Sequence, residues 1–202
     1  MKKLLLGSWL FLILSGVGII FYHSEWKYSL PTPLPLQYHD VNRGDDVNIA
    51  EYLPFKNNKP VFLHFFNPSC PCSRFNIPHF RSLVKKYGEK INFMVVVLSK
   101  DKNCSAEGIK DKFNLDIPFV INPSIADSCG VYSTPQAVIL NPDHKLYYRG
   151  NYNRSRYCTN PLTNYAQIAL DSLIQNNPNP QFSQYAVKAY GCQLPQCCSY
   201  EE

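Results

Sequence analysis

The sequence has little charge and lacks the motifs that define several common functional classes. Only 17% of its 202 residues are charged, and 20 basic residues stand against 15 acidic ones. So small an excess excludes a histone-like polyelectrolyte, and 45% hydrophobic residues are too many for a disordered chain. There is no phosphate-binding glycine loop, no serine triad and no zinc-finger spacing. We expect no nucleic-acid partner, no cofactor and no resident metal.

The N-terminal segment carries no formal charge over 19 residues, from Leu4 to Tyr22. About 20 apolar residues span a bilayer as a helix, and no small-x-small cleavage site follows here. We therefore expect an uncleaved signal anchor over residues 1–22, with a cleaved signal peptide as the alternative. Lys2 and Lys3 keep the N-terminus in the cytoplasm. The predicted location is the cell inner membrane, crossed once, with the remaining chain in the periplasm.

The number of cysteines and the positions of the prolines indicate how the exported part of the chain is organised. Eight cysteines in a chain of this length are typical of an oxidising compartment. Three prolines between residues 29 and 37 favour an extended spacer. We predict an extended linker over 23–46, a globular domain over 47–176 and a cysteine-containing tail over 177–202.

The globular part alternates predicted strands and helices. Strands are expected where apolar β-formers run together, and helices where apolar side chains recur at helical spacing. In chain order the elements are a strand at 60–66, a helix from Cys70 that Gly88 stops, a strand at 91–98, a helix at 107–113, an extended piece at 118–121, strands at 136–140 and 145–148 joined by a turn, and a helix at 162–175. This order predicts an α/β fold whose sheet has parallel strands first and an antiparallel pair last.

A Cys-Pro-Cys sequence stands between the first predicted strand and the first predicted helix. The N-terminus of a helix carries partial positive charge and unpaired N–H groups, which stabilise a thiolate. Pro71 suits a first helical turn. Cys70 and Cys72 are therefore candidate catalytic thiols. The alternative is a structural disulfide or two unpaired thiols, and a bridge that closes so small a loop stabilises little.

Two segments resemble the thioredoxin superfamily, especially its membrane-tethered extracytoplasmic redoxins. VFLHFFNPSCPCSRFNIP is similar to the active-site segment, with two aromatic residues, a cysteine and a proline eight residues on. CGVYSTPQAVILNPDHKLYYRGNY is similar to the stretch that carries the cis-proline facing the redox cysteine. The resemblance implies a thioredoxin-like three-layer fold, a central mixed sheet with flanking helices, behind one N-terminal transmembrane helix. It also implies that Thr134 and Pro135 form the cis bond and position the substrate; otherwise Pro135 is a simple strand-entry proline.

The sequence departs from the family pattern at the second cysteine. Its usual place, three residues after Cys70, is held by Ser73, and Cys72 lies one residue earlier. Cys70 resolves most simply with Cys72, and otherwise with a distal cysteine. The candidates for a distal redox or structural role are Cys104, Cys129, Cys158 and Cys192. Among them, a structural bridge between Cys104 and Cys129 is expected, as is one between Cys158 and a tail cysteine.

Two further positions differ from relatives on this fold. His64 stands where thioredoxins commonly place a buried carboxylate, and its near-neutral intrinsic pKa suits proton transfer. The alternative is a core histidine satisfied by one hydrogen bond. Asn67 stands where peroxiredoxins need threonine or serine, so we expect no peroxidase activity.

These patterns together predict a membrane-anchored extracytoplasmic thiol–disulfide oxidoreductase. A mixed disulfide forms on Cys70, and a second cysteine resolves it. The expected partners are protein thiols and disulfides, a membrane electron donor or acceptor still to be identified, and the membrane itself through residues 4–22. Two alternatives are a Cu(I)-binding metallochaperone, because thiolates suit a soft ion, and a non-catalytic module stapled by disulfides.

Overall fold

The computed structural model describes residues 2–99, 105–178 and 180–195. The strands are β1 (Val61–Phe66), β2 (Asn92–Val97), β3 (Phe119–Ile121), β4 (Ser133–Thr134), β5 (Gln136–Leu140), β6 (Leu146–Gly150) and β7 (Cys192–Gln193). The helices are α1 (Lys2–Phe21), α2 (Lys27–Ser29), α3 (Pro71–Tyr87), α4 (Ala106–Phe113), α5 (Ser124–Ser128), α6 (Tyr165–Ile174) and α7 (Gln184–Val187). Short 3₁₀ turns lie at Ala50–Tyr52 and Pro161–Thr163.

Five strands form the central sheet in the order β3-β2-β1-β5-β6. β1 runs parallel to β2, and β2 parallel to β3, whereas β5 is antiparallel to both β1 and β6. Every residue of β1 and β2 is buried, as expected for central strands covered on both faces. The mixed sheet with parallel strands first is the predicted one, and the fold is thioredoxin-like.

The two faces of the sheet each pack against a separate hydrophobic layer. Phe62 and Phe66 of β1 point into a cluster with α3, α4 and α6, whereas Leu63 and Phe65 join α5 and the segment 41–53 on the other face. This alternation follows from the two-residue period of side chains along a strand. Helices therefore flank the sheet on both sides, and β1 carries the chain directly into the start of α3.

The N-terminal helix is long and apolar enough to cross a membrane. It extends over Lys2–Ser29, through a π-helical turn at Tyr22–Trp26, and α1 has no buried residue. A signal sequence would pass the same test of length and composition. The predicted linker is helical as far as Ser29. Beyond it, Thr32 is buried and its N–H donates to the carbonyl of Ala189.

The segment predicted as a tail folds onto the domain over its described part. It contains α7 and β7, and Ala186 and Ala189 are fully buried. The amide of Asn151 holds this segment by donating to the carbonyls of Tyr185 (2.8 Å) and Lys188 (2.6 Å). The sequence analysis did not predict α7 and β7, because elements this short show no periodic pattern of apolar side chains.

Candidate functional site

Cys70 stands at the junction between β1 and α3. It is the N-cap residue of α3, with extended backbone angles, and Pro71 fills the first helical position. A turn fixes this junction, because the N–H of Cys70 donates to the carbonyl of Asn67 at 3.0 Å. The predicted position of Cys70 at the helix start is confirmed. Its side chain is only 1% exposed.

A disulfide joins Cys70 to Cys192, 122 residues further along the chain. It differs from the Cys70–Cys72 pair that sequence reasoning took as the simplest. The Cα atoms of the two bonded residues are 6.0 Å apart, an ordinary separation for a disulfide. The bond connects the start of α3 to β7.

Thr134 and Pro135 form the wall of the site opposite the start of α3. The Thr134–Pro135 peptide bond is cis, as the resemblance implied. The carbonyl oxygen of Thr134 lies 3.5 Å from the sulfur of Cys70. β4 and β7 pair antiparallel here, with Thr134 opposite Cys192. The chain's own strand therefore occupies the backbone edge that was predicted to position a substrate.

Cys72 is a free thiol and is 2% exposed. Its sulfur, the Cys70 sulfur and the Cys192 sulfur all lie within 4.8 Å of one another. Burial raises the pKa of the Cys72 thiol, and the positive charge of the nearby Arg156 guanidinium opposes this rise. The first turn of α3 thus places a second sulfur beside the disulfide.

Arg156 contacts polar and aromatic neighbours beside Cys72. Its guanidinium donates to the Glu25 carboxylate at 2.8 Å and to the Tyr157 hydroxyl at 2.7 Å. The same group lies 4.9 Å from the centre of the Tyr28 ring, within the range of a cation–π contact. Sequence analysis missed Arg156, because its position beside the site depends on a loop that follows the last strand of the sheet.

Cys158 lies close to Cys72, and both residues border a small cavity of about 40 Å³. Its sulfur accepts a hydrogen bond from the Asn76 amide at 3.1 Å. Burial raises the pKa of this free thiol to about 11. The described residues do not contain the predicted bridge from Cys158 to a tail cysteine, because Cys158 is a free thiol and Cys192 bonds to Cys70.

Cys129 lies in the core on the face of the sheet that α5 covers. It is a free thiol, and burial raises its pKa to about 12. The structure thus provides no support for a bridge at Cys129, and Cys104, its predicted partner, lies outside the described residues, as do Cys197 and Cys198.

His64 is fully buried on β1 within an aromatic cluster. Its ring stacks on Phe80 with centroids 4.4 Å apart, and its Nδ1 lies 2.6 Å from the Tyr152 hydroxyl. Burial lowers the pKa of His64 to about 3, with a smaller contribution from His79. The imidazole is therefore neutral at physiological pH. Tyr152, the hydrogen-bond partner of His64, borders the cavity beside Cys72.

Cys70, Cys72 and Cys192 are the described group whose side chains could together hold a metal. Three thiolates would suit a soft ion such as Cu(I). Two of the three sulfurs are joined in the disulfide, so they offer no thiolate in this state. This arrangement favours sulfur exchange over the metallochaperone alternative.

A family model described as "Domain of unknown function (DUF6436)" matches residues 41–195. The chain belongs to this family. The matched range includes both Cys70 and Cys192, so the DUF6436 domain contains the whole disulfide. It also begins before the predicted domain start at residue 47.

One curated protein with a named activity is similar in sequence to this DUF6436 protein. Thiol-disulfide oxidoreductase ResA of Halalkalibacterium halodurans is 24% identical over 100 residues, which are 48% of this chain and 54% of ResA. The chain thus spans about half the length of the curated relative it matches.

Two solved structures match over most of the chain. A hypothetical protein of Sinorhizobium meliloti is 14% identical, with a TM-score of 0.62 over 78% of this chain and 96% of that one. An uncharacterized conserved protein of Geobacillus kaustophilus is 20% identical, with a TM-score of 0.62 over 83% and 94%. At these identities the likeness concerns the fold.

Proposed function

We propose that this protein is a membrane-anchored, extracytoplasmic thiol–disulfide oxidoreductase that acts on protein cysteines. The observation that carries the proposal is the disulfide between Cys70 and Cys192, which lies at the start of α3 and against the carbonyl of Thr134. A sulfur at a helix N-terminus is stabilised as a thiolate. It is therefore both a good nucleophile and a good leaving group in exchange.

In the proposed reducing direction, the Cys70 thiolate attacks one sulfur of a substrate disulfide. A mixed disulfide forms, and the other substrate sulfur leaves as a thiolate. The Cys192 thiolate then attacks the Cys70 sulfur, which forms the Cys70–Cys192 bond and releases the second substrate thiolate. The substrate gains two electrons, the two cysteines lose two, and the reverse sequence oxidises a dithiol.

Thr134 and Pro135 are proposed to hold the substrate backbone during this exchange. β7 already pairs with β4 in the antiparallel direction, and an extended peptide can add to the same edge when β7 leaves it. The ResA name supports the chemistry. The apolar helix Lys2–Ser29 and the density of cysteines support anchoring outside the cytoplasm. A membrane electron donor or acceptor would reset the Cys70–Cys192 pair.

The test is trapping of the mixed disulfide with purified full-length protein in detergent. Reduced Cys192→Ser protein is expected to retain a disulfide-containing protein substrate on Cys70, because the resolving sulfur is gone. Cys70→Ser protein is expected to retain none, while Cys129→Ser protein, altered at a remote buried thiol, turns over as the wild type does. Full disulfide reduction by Cys70→Ser protein would refute the proposal.

The predicted topology has a separate test. Alkaline phosphatase fused to the C-terminus folds into an active enzyme only after export. Activity of the fusion in cells is expected, and its loss when residues 4–22 are deleted should follow. An inactive full-length fusion, at normal expression, would contradict an extracytoplasmic domain.

A further inference from the structure

Cys72 is a sulfur within the site that the two-cysteine exchange leaves unused. Its thiol is free, and only 2% of the residue is exposed. In this structure neither Cys72 nor Cys70, which is 1% exposed, is open to a disulfide in solution, and Cys70 becomes open when β7 leaves β4. Cys72 can reach the Cys70–Cys192 disulfide directly, because the sulfurs of Cys70, Cys72 and Cys192 all lie within 4.8 Å of one another. The accessible reaction partner of Cys72 is thus internal.

One positive charge lies close to Cys72. The Arg156 guanidinium opposes the rise in the pKa of the Cys72 thiol that burial causes. A cavity of about 40 Å³ has Cys72, Pro135 and Gly191 among its lining residues. Because Gly191 directly precedes Cys192, this space adjoins both Cys72 and the backbone that leads into Cys192.

We propose that Cys72 attacks the sulfur of Cys192 and releases Cys70 as a thiolate. The Cys72–Cys192 bond forms as the Cys70–Cys192 bond breaks, and the proton of Cys72 passes to solvent. The protein keeps one disulfide and its oxidation state, so the step needs no external oxidant or reductant. This inference rests on the proposed function, because it supplies the nucleophile of that exchange.

Chemistry decides which of the two disulfide sulfurs Cys72 attacks. The sulfur that is more stable as a thiolate leaves faster, and Cys70 caps the N-terminus of α3. Attack on Cys70 would instead close a disulfide across one intervening residue, a geometry that stores strain. Cys192 lies on a two-residue strand and can follow the new bond more easily. Exchange at Cys192 is therefore favoured.

The consequence is a nucleophilic Cys70 in a protein that is still oxidised. Such a thiolate, beside Thr134 and Pro135, can attack a substrate disulfide without prior reduction of the enzyme. The substrate thiolate released by this attack can then open a different disulfide of the same substrate. The thiolate freed there attacks the mixed disulfide, forms a new substrate disulfide and releases the Cys70 thiolate. The chemistry fits substrate proteins whose disulfides are rearranged with no net gain of electrons.

The test measures alkylation of Cys70 in oxidised full-length protein, followed by mass-spectrometric mapping of labels and disulfides. In the wild type, iodoacetamide is expected to label Cys70 and to leave a Cys72–Cys192 disulfide, at a rate independent of protein concentration. Cys72→Ser is expected to reduce labelling of Cys70 at least tenfold while keeping the Cys70–Cys192 disulfide. Cys129→Ser, the matched control, should label as the wild type does.

Three results would overturn the inference. They are an unlabelled Cys70 in the wild type, equal labelling of Cys70 in Cys72→Ser, and labelling of Cys192 with a Cys70–Cys72 bond. A second variant guards against misfolding: oxidised Cys70→Ser is expected to form the Cys72–Cys192 disulfide, since serine is a good helix N-cap. If oxidised Cys70 stays unlabelled but reduced Cys70 still traps substrate, the inference fails and the proposed function stands. Reduced Cys70 that traps nothing refutes both.

Discussion

Thr134 and Cys192 face each other across the two-residue ladder between β4 and β7. The Cys70–Cys192 disulfide connects this ladder to the start of α3. The sulfur of Cys70 and the strand β7, which carries Cys192, therefore both lie against β4. So short a ladder contributes little by itself, and the disulfide holds β7 in addition to the hydrogen bonds of Asn151 to the preceding segment. Breaking the bond should therefore free the edge for another chain.

Gly191 controls how closely β7 approaches β4. Its φ is +146°, and a Cβ there would collide with the carbonyl oxygen of Thr134. Gly191→Ala should loosen the strand pair and accelerate reduction of the Cys70–Cys192 disulfide by dithiothreitol several-fold. Gel-shift alkylation after timed quenching measures the rate. Gly44→Ala is the control, because Gly44 also has positive φ (+93°) but open space around it; equal acceleration in both variants would contradict the prediction.

Asn151 anchors the segment that leads into β7. Its side chain donates to the carbonyls of Tyr185 and Lys188 and accepts from the N–H of Tyr190. Asn151→Ala leaves these part-buried groups without partners, so we expect a loss of about 2–4 kcal/mol in the free energy of unfolding. Urea unfolding measures the loss. Asn58→Ala, at an exposed position, should cost less than about 1 kcal/mol.

Arg156 is predicted to act through Cys72. Arg156→Gln removes the positive charge that favours the Cys72 thiolate, so labelling of Cys70 in oxidised protein should slow about tenfold. Arg156→Lys should recover part of the rate because it restores the charge. Arg154→Gln is the control, since Arg154 is exposed and packs on the Tyr185 ring. If Cys70 is labelled at the same rate in the wild type, Arg156→Gln and Arg156→Lys, then Arg156 only supports the structure of the loop.

His64 should make the domain sensitive to acid. Its folded-state pKa is lowered to about 3 by burial, whereas an unfolded histidine titrates near 6.5. The unfolded chain therefore binds a proton at intermediate pH that the folded chain does not. The stabilisation is present above about pH 6.5 and is lost progressively as the pH falls toward 3, by about 1.4 kcal/mol per pH unit at most.

The measurement is the free energy of unfolding of the wild type, His64→Gln and His39→Gln between pH 7 and pH 4. His64→Gln should flatten the pH dependence, although it also lowers stability at pH 7 by removing the contact with Tyr152. His39 is exposed, so His39→Gln should reproduce the slope of the wild type. An unchanged slope in His64→Gln would show that other groups set the acid response, His79 first among them because burial also lowers its pKa.

The sequence by itself determined the features that depend on neighbouring residues. Apolar runs gave the central strands, and helical spacing with a glycine stop gave α3. Cys70 could be placed at the helix start because the break after β1 and Pro71 lie next to it. The family resemblance added the cis bond before Pro135. Each of these signals lies within a few residues of the element it predicts.

Only the tertiary structure decided the chemistry of the sulfurs. Cys192 reaches Cys70 across 122 residues, and eight cysteines allow 105 complete pairings, too many for spacing to resolve. Arg156 reaches Cys72 from the loop after the sheet, and Asn151 fixes the strand that brings Cys192 to β4. Such contacts depend on how distant elements pack and on which polar groups burial forces to find partners. The local sequence shows neither how distant elements pack nor which buried polar groups pair.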